Sequence, residues 1–137
     1  MSTKLKNRLE KIEQIIAKLT EESGKGTPVV VEGKKDADNL RLLGVEGKII
    51  TVKTGGKTFL DVVFEIEQSG ARGVVLFLDF DRRGREGTKR LLLELERLHI
   101  KADVRLWREL EGLVSRDIQC IEGLPSYLET LKNKIAT

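Results

Sequence analysis

The sequence predicts an α/β fold in which about four mostly parallel strands are flanked by helices, with one further helix at each end. Three observations predict it. PVVVE, KIITVK and GVVLFL are short apolar runs without polar alternation, as expected of strands buried on both faces of a parallel sheet. Segments with helical spacing separate them. Glycine-containing breaks such as GKGTP and TGG punctuate the alternation.

The elements follow in order. From Thr3 to Glu22, Leu5, Leu9, Ile12, Ile16 and Leu19 recur at helical spacing among charges, which predicts an amphipathic helix lying on the rest of the fold. Pro28 to Glu32 is a β-branched strand, and Lys34 to Leu43 a helix ended by Gly44. Lys48 to Lys53 is a second strand, followed after Thr54-Gly55-Gly56 by a helix from about Lys57 to Gln68. Gly73 to Leu78 is a third strand, Gly84 to Leu98 a leucine-rich helix, and Lys101 to Leu106 a fourth strand. Arg108 to Cys120 has no regular pattern. Leu124 to Ile135, with Pro125 in its first turn and Leu124, Leu128, Leu131 and Ile135 on one stripe, predicts a closing helix.

The 137 residues make one domain: a helix and linker over 1–26, a core over 27–107 and an extension over 108–137. A charged fraction of 34% with a net charge of only +3 does not by itself mark a nucleic-acid binder; clustering decides that. One cysteine, Cys120, excludes an internal disulfide and a thiolate zinc site. His99 is the one histidine, and no nucleophile elbow accompanies it, so hydrolase triads are disfavoured. No signal-peptide core or membrane-length apolar run is present, so a cytoplasmic protein without membrane contact is expected.

In an open parallel sheet, ligands gather beyond the carboxyl ends of the strands. Glu32 closes the first strand and is followed by Gly33; Asp79 closes the third, with Asp81 two residues on. If the chain stays extended there, both aspartates face one side. Two or three such carboxylates suit magnesium, which prefers hard oxygen ligands. Taken singly, each acid is explained equally well as a helix cap.

The stretches VVVEGKKDA and LFLDFDRRG resemble the two signature motifs of the Toprim domain, shared by topoisomerases, bacterial-type primases and small nucleases that mature ribosomal RNA. The resemblance runs from about Pro28 to Leu106, and its specificity lies in the joint occurrence of an apolar strand ending Glu-Gly and another ending Asp-x-Asp-x-x-Gly. It implies a Rossmann-like Toprim fold. It implies that Glu32 is a general acid or base or a further metal ligand, that Gly33 permits the tight turn, and that Asp79 and Asp81 hold Mg2+, with Mn2+ as a substitute. Gly84 matches the glycine opening the next helix. Some branches carry a third aspartate where this chain has Arg83. No zinc-binding domain accompanies the motifs, and the one tyrosine, Tyr127, lies in the closing helix and reads as a surface residue rather than a strand-transfer nucleophile.

Lys34, Lys35, Lys53, Lys57, Arg82, Arg83, Arg85, Lys89 and Arg90 map to the same edge as the acids. Cations around an acidic centre suit a polyanion whose phosphate bridges to the ion. Thr54-Gly55-Gly56-Lys57-Thr58 ends like a phosphate-binding loop, but the first glycine of the full signature falls on Thr51. Gly55 and Gly56 are left as a turn whose N–H groups could hold one phosphate. No aromatic platform for stacking bases is evident: Phe59, Phe64, Phe77 and Trp107 sit in apolar contexts, and Phe80 is left as the one candidate. The expected function is magnesium-dependent chemistry on RNA or DNA phosphodiesters without sequence specificity, with Glu32 and Lys34 catalytic. The alternative is a non-catalytic nucleic-acid-binding subunit of a larger processing assembly.

Overall fold

The computed structural model describes residues 3–136. Four parallel strands form one sheet in the order β2-β1-β3-β4: β1 Val29–Val31, β2 Ile49–Thr51, β3 Gly73–Leu76 and β4 Lys101–Asp103. In register, Val30 lies between Ile50 and Leu76. Three consecutive valines in β1 are fully buried, because both faces of the sheet are covered by helices.

The helices are α1 Thr3–Gly24, α2 Lys34–Leu42, α3 Phe59–Gln68, α4 Arg82–Arg97, α5 Arg105–Val114 and α6 Leu124–Ala136. Short 3-10 turns occupy Thr54–Gly56 and Ile121–Gly123. The connection from β1 through α2 runs outward to β2, whereas those through α3 and α4 run the other way. Right-handed crossovers therefore put α2 on one face and α3 and α4 on the other. α1 packs on α5 and α6 and α6 touches α2, which completes the first face, while α3 packs on α4. The core joins the two layers, with Ile12 and Leu19 of α1, Val30 and Leu76 of the sheet, Leu95 of α4 and Leu110 of α5 all essentially inaccessible to solvent.

Three expectations are corrected. The fourth strand ends at Asp103 rather than Leu106, and the segment expected to be irregular contains α5. Leu106, Trp107, Leu110 and Val114 form its buried stripe, and the Asp103 carboxylate accepts the Arg105 N–H at 2.9 Å where the helix begins. α3 also starts later than expected. Thr58 caps it by accepting the Asp61 N–H, and the Asp61 carboxylate returns to the Thr58 N–H at 2.9 Å. His99 is exposed with φ 59°, so it closes α4 in the left-handed region. Tyr127 is half-buried: its hydroxyl donates to Asp117 at 2.8 Å and accepts from Arg8 at 3.2 Å, tying α6 to α1. Among the described residues no helix is long and apolar enough to cross a membrane.

Candidate functional site

The sheet reverses its winding between β1 and β3, and the chain leaving those two strands carries the acids. In doubly wound sheets the reversal opens a crevice beyond the strand ends. Glu32 follows β1 directly and is buried; Asp79 lies just past β3 and is buried as well. Asp81 is partly exposed and caps α4, its carboxylate accepting the Gly84 N–H at 2.8 Å. The helix-cap reading of Asp81 is thus borne out. Gly84 is required here: a Cβ would run into the backbone of Asp79, so only glycine lets α4 begin this close to the acid.

A fourth carboxylate, Asp36, joins these three. It stands in the first turn of α2, accepts the Gly33 N–H at 3.0 Å and is buried. The EGKKD stretch contains it, but a first-turn aspartate reads as a cap; its inward placement depends on a contact from the far end of the chain. The turn Ile121–Gly123 supplies that contact. Ile121 N–H donates to Asp79 Oδ1 at 3.1 Å and Glu122 N–H to Asp36 Oδ1 at 2.9 Å. Phe80 N–H donates to the Gln119 carbonyl at 2.7 Å and thus fixes the same segment.

The electrostatics follow from this packing. Burial pushes the Asp79 carboxyl up from 3.8 to about 6; the Ile121 N–H opposes the rise, and the charges of Asp36, Glu32 and Asp81 add to it. Asp36 is also raised, by burial first, with the N–H groups of Gly33 and Glu122 pulling it down and the Glu122 carboxylate pushing it up. Cys120 adjoins the cluster, and its thiol is raised by burial and then by Asp79 and Asp36, the reverse of what a reactive thiolate needs. Glu32 is held by Lys53 at 3.3 Å.

Among the described residues, no three carboxylate, histidine or cysteine side chains are arranged to hold one ion as they stand. Their donor chemistry nevertheless fits a hard cation. All are carboxylates, and the mutual repulsion around Asp79 is what a divalent ion relieves. Each acid spends an oxygen on a local partner, so an ion would compete with those bonds.

The cations divide into two groups. Lys57 is tied to Glu65 at 2.6 Å and to the Thr51 carbonyl at 2.9 Å; Arg82 is tied to Glu86 at 3.1 Å and Arg85 to Glu111 at 2.7 Å. Lys34, Lys35, Arg83 and Lys89 are exposed, and none of these four pairs with a carboxylate among the described residues. Gly55 and Gly56 form a left-handed exposed turn ahead of α3 rather than its first turn. Phe80, the one stacking candidate left by the sequence, cannot serve as one: its ring is fully buried against Trp107, with centroids 5.9 Å apart. Trp107 in turn donates its indole N–H to the Leu78 carbonyl at 2.7 Å, so this pair supports the strand end from beneath.

These features define a class: a doubly wound α/β domain with a carboxylate cluster at its switch point and cations on the same edge. No family model matches the chain. It is 36% identical over 120 residues to the UPF0292 protein MJ1624 of Methanocaldococcus jannaschii, covering 87% of this chain and 91% of that one. It is 37% identical over 123 residues to the UPF0292 protein PF1724 of Pyrococcus furiosus, covering 90% and 88%. The chain belongs to the UPF0292 family. A solved structure of a protein from Aquifex aeolicus is similar with a TM-score of 0.67 and 25% identity, over 80% of this chain and 94% of that one.

Proposed function

We propose that this protein is a Toprim-like, divalent-cation-dependent enzyme of nucleic-acid phosphodiesters, nuclease-like in its chemistry. The observation that carries the reading is the meeting of four carboxylates from β1, α2 and the β3–α4 junction at the switch point, with cations on one side of them. Asp79 and Asp81, with Glu32 sharing, would hold Mg2+ or Mn2+. Such an ion, when bound, polarises a phosphoryl oxygen and acidifies a bound water.

The chain's own groups account for the rest. Glu32 is presented from a rigid strand end beside a glycine, so it can take a proton from an attacking hydroxyl held within about 3 Å. Lys53 steadies its orientation at 3.3 Å. Lys34, in the first turn of α2, and Arg83, in the first turn of α4, are exposed cations available to developing charge on phosphate. The backbone N–H groups of Ile121 and Glu122 keep Asp79 and Asp36 turned inward.

Purified protein incubated with labelled single- and double-stranded RNA and DNA, with Mg2+ or Mn2+ and with chelator, tests the reading. Metal-dependent cleavage is expected. Glu32→Gln keeps the shape and removes the proton transfer, and should cost on the order of a hundredfold or more in rate at nearly constant affinity. Wild-type rates in that variant would refute the assignment of Glu32. One observation favours a second reading, a non-catalytic nucleic-acid-binding subunit of a larger assembly: every acid already has a local hydrogen-bond or ion-pair partner. Binding without metal-dependent turnover would select it.

A further inference from the structure

On the side of Glu32 that faces α3 and α4 lies a cleft of about 320 Å³. Its floor is apolar, made by Val52 and Leu78, and Gly87 lets α4 close onto it: a Cβ there would lie 3.1 Å from the Leu78 side chain. Its rim carries Lys53, Lys57, Arg83 and Arg90 against the single carboxylate of Glu32. Lys53 and Lys57 have acidic partners. Arg83 and Arg90 have none among the described residues, so the cleft presents two uncompensated guanidinium groups.

Arg90 is also held flat. Its guanidinium carbon sits 3.9 Å over the centroid of the Phe59 ring, and both side chains line the cleft. A fixed planar cation over an apolar floor suits a nucleobase, since unpaired bases stack on aromatic rings and on arginine planes. The volume is at the small end for ligand sites, enough for one nucleotide and not for a base pair.

We propose that this cleft receives one unpaired nucleotide of the substrate strand, its phosphate against Arg83 and Lys53 and its base on the guanidinium plane of Arg90. The assignment rests on the phosphodiester reading above and adds a preference for single strands or frayed ends over intact duplex. It makes Arg90 and Phe59 specificity residues, distinct from the acids.

The test is equilibrium binding in chelator, by polarisation of a labelled short single strand and of its blunt duplex. The proteins are wild type, Arg90→Lys and Arg90→Ala. Lysine keeps the charge and loses the plane. Arg90→Lys should weaken single-strand binding about fivefold or more, with an unchanged dependence on salt and unchanged duplex affinity. Arg90→Ala should weaken single-strand binding at least as much, and because Arg90 holds the base and no phosphate the slope of log affinity against log salt should stay near that of wild type. Arg90 is exposed on α4, so both variants should fold. Wild-type single-strand binding by Arg90→Lys, or equal loss on duplex, overturns the stacked nucleotide. If cleavage still depends on Glu32 in that case, the phosphodiester reading stands. Absence of binding to either strand by wild type overturns the nucleotide site, and absence of metal-dependent cleavage as well overturns the phosphodiester reading.

Discussion

Replacing Asp79 by asparagine should stabilise the protein at neutral pH. Its carboxyl titrates near 3.8 when unfolded and at about 6 when folded, raised by burial and by the charges of Asp36, Glu32 and Asp81. The native state therefore holds a proton that the unfolded chain has released, and stability falls as pH rises between those two values. The interval sets a ceiling of about 3 kcal/mol, and water reaching the crevice reduces it to about 1–2 kcal/mol. Asparagine keeps the oxygen that accepts the Ile121 N–H and cannot ionise. Urea unfolding in chelator at about pH 8 should show Asp79→Asn more stable by that amount, and the gap should close toward about pH 4. Adding Mg2+ should stabilise wild type and narrow the difference. An asparagine variant that is less stable at about pH 8, or a gap that does not move with pH, would refute the account of Asp79 as an acid ionised against its surroundings.

Other predictions follow from the same geometry. Asp79→Asn with Asp81→Asn should abolish the calorimetric signal of Mg2+ or Mn2+ binding while the fold persists; retained affinity would place the ion elsewhere. Of the three arginines opening α4, Arg83 alone is without an acidic partner among the described residues, so Arg83→Ala should lower the salt slope of single-strand binding by about 0.7, with Arg82→Ala and Arg85→Ala changing it less. Gly84→Ala forces the Asp79 backbone to move and should cost about 1–3 kcal/mol in urea melts. Trp107→Phe strands the buried Leu78 carbonyl and should cost about 1–3 kcal/mol by the same measurement.

The strands and their parallel direction, though not their order in the sheet, were legible because burial on both faces leaves an uninterrupted run of branched residues, as in Val29-Val30-Val31. α5 was obscured by its own start. Ala102, Val104 and Leu106 alternate like a strand, while Leu106, Leu110 and Val114 repeat like a helix, and only the carboxylate of Asp103 decides where one gives way to the other. Glu32, Asp79 and Asp81 could be placed on one edge because strand ends define that edge. Asp36 could not, since the Glu122 N–H that holds it lies 86 positions away. Phe80 sits between two acids in sequence, which suggested exposure; its burial depends on Trp107 arriving from α5. Local pattern thus reported the backbone route, and long-range contacts set which side chains the route turns inward.

The turn at Ile121–Gly123 joins the two ends of the chain's history. During synthesis the sheet and its acids emerge before the N–H groups that orient Asp79 and Asp36. A nascent chain carrying the sheet without this turn lacks the N–H groups that hold Asp79 and Asp36, so the centre takes its shape only once the turn has been made. The same arrangement gives α6 mechanical leverage: it continues directly from the turn, so a partner that draws α6 away from α1 also loosens the grip on both buried aspartates.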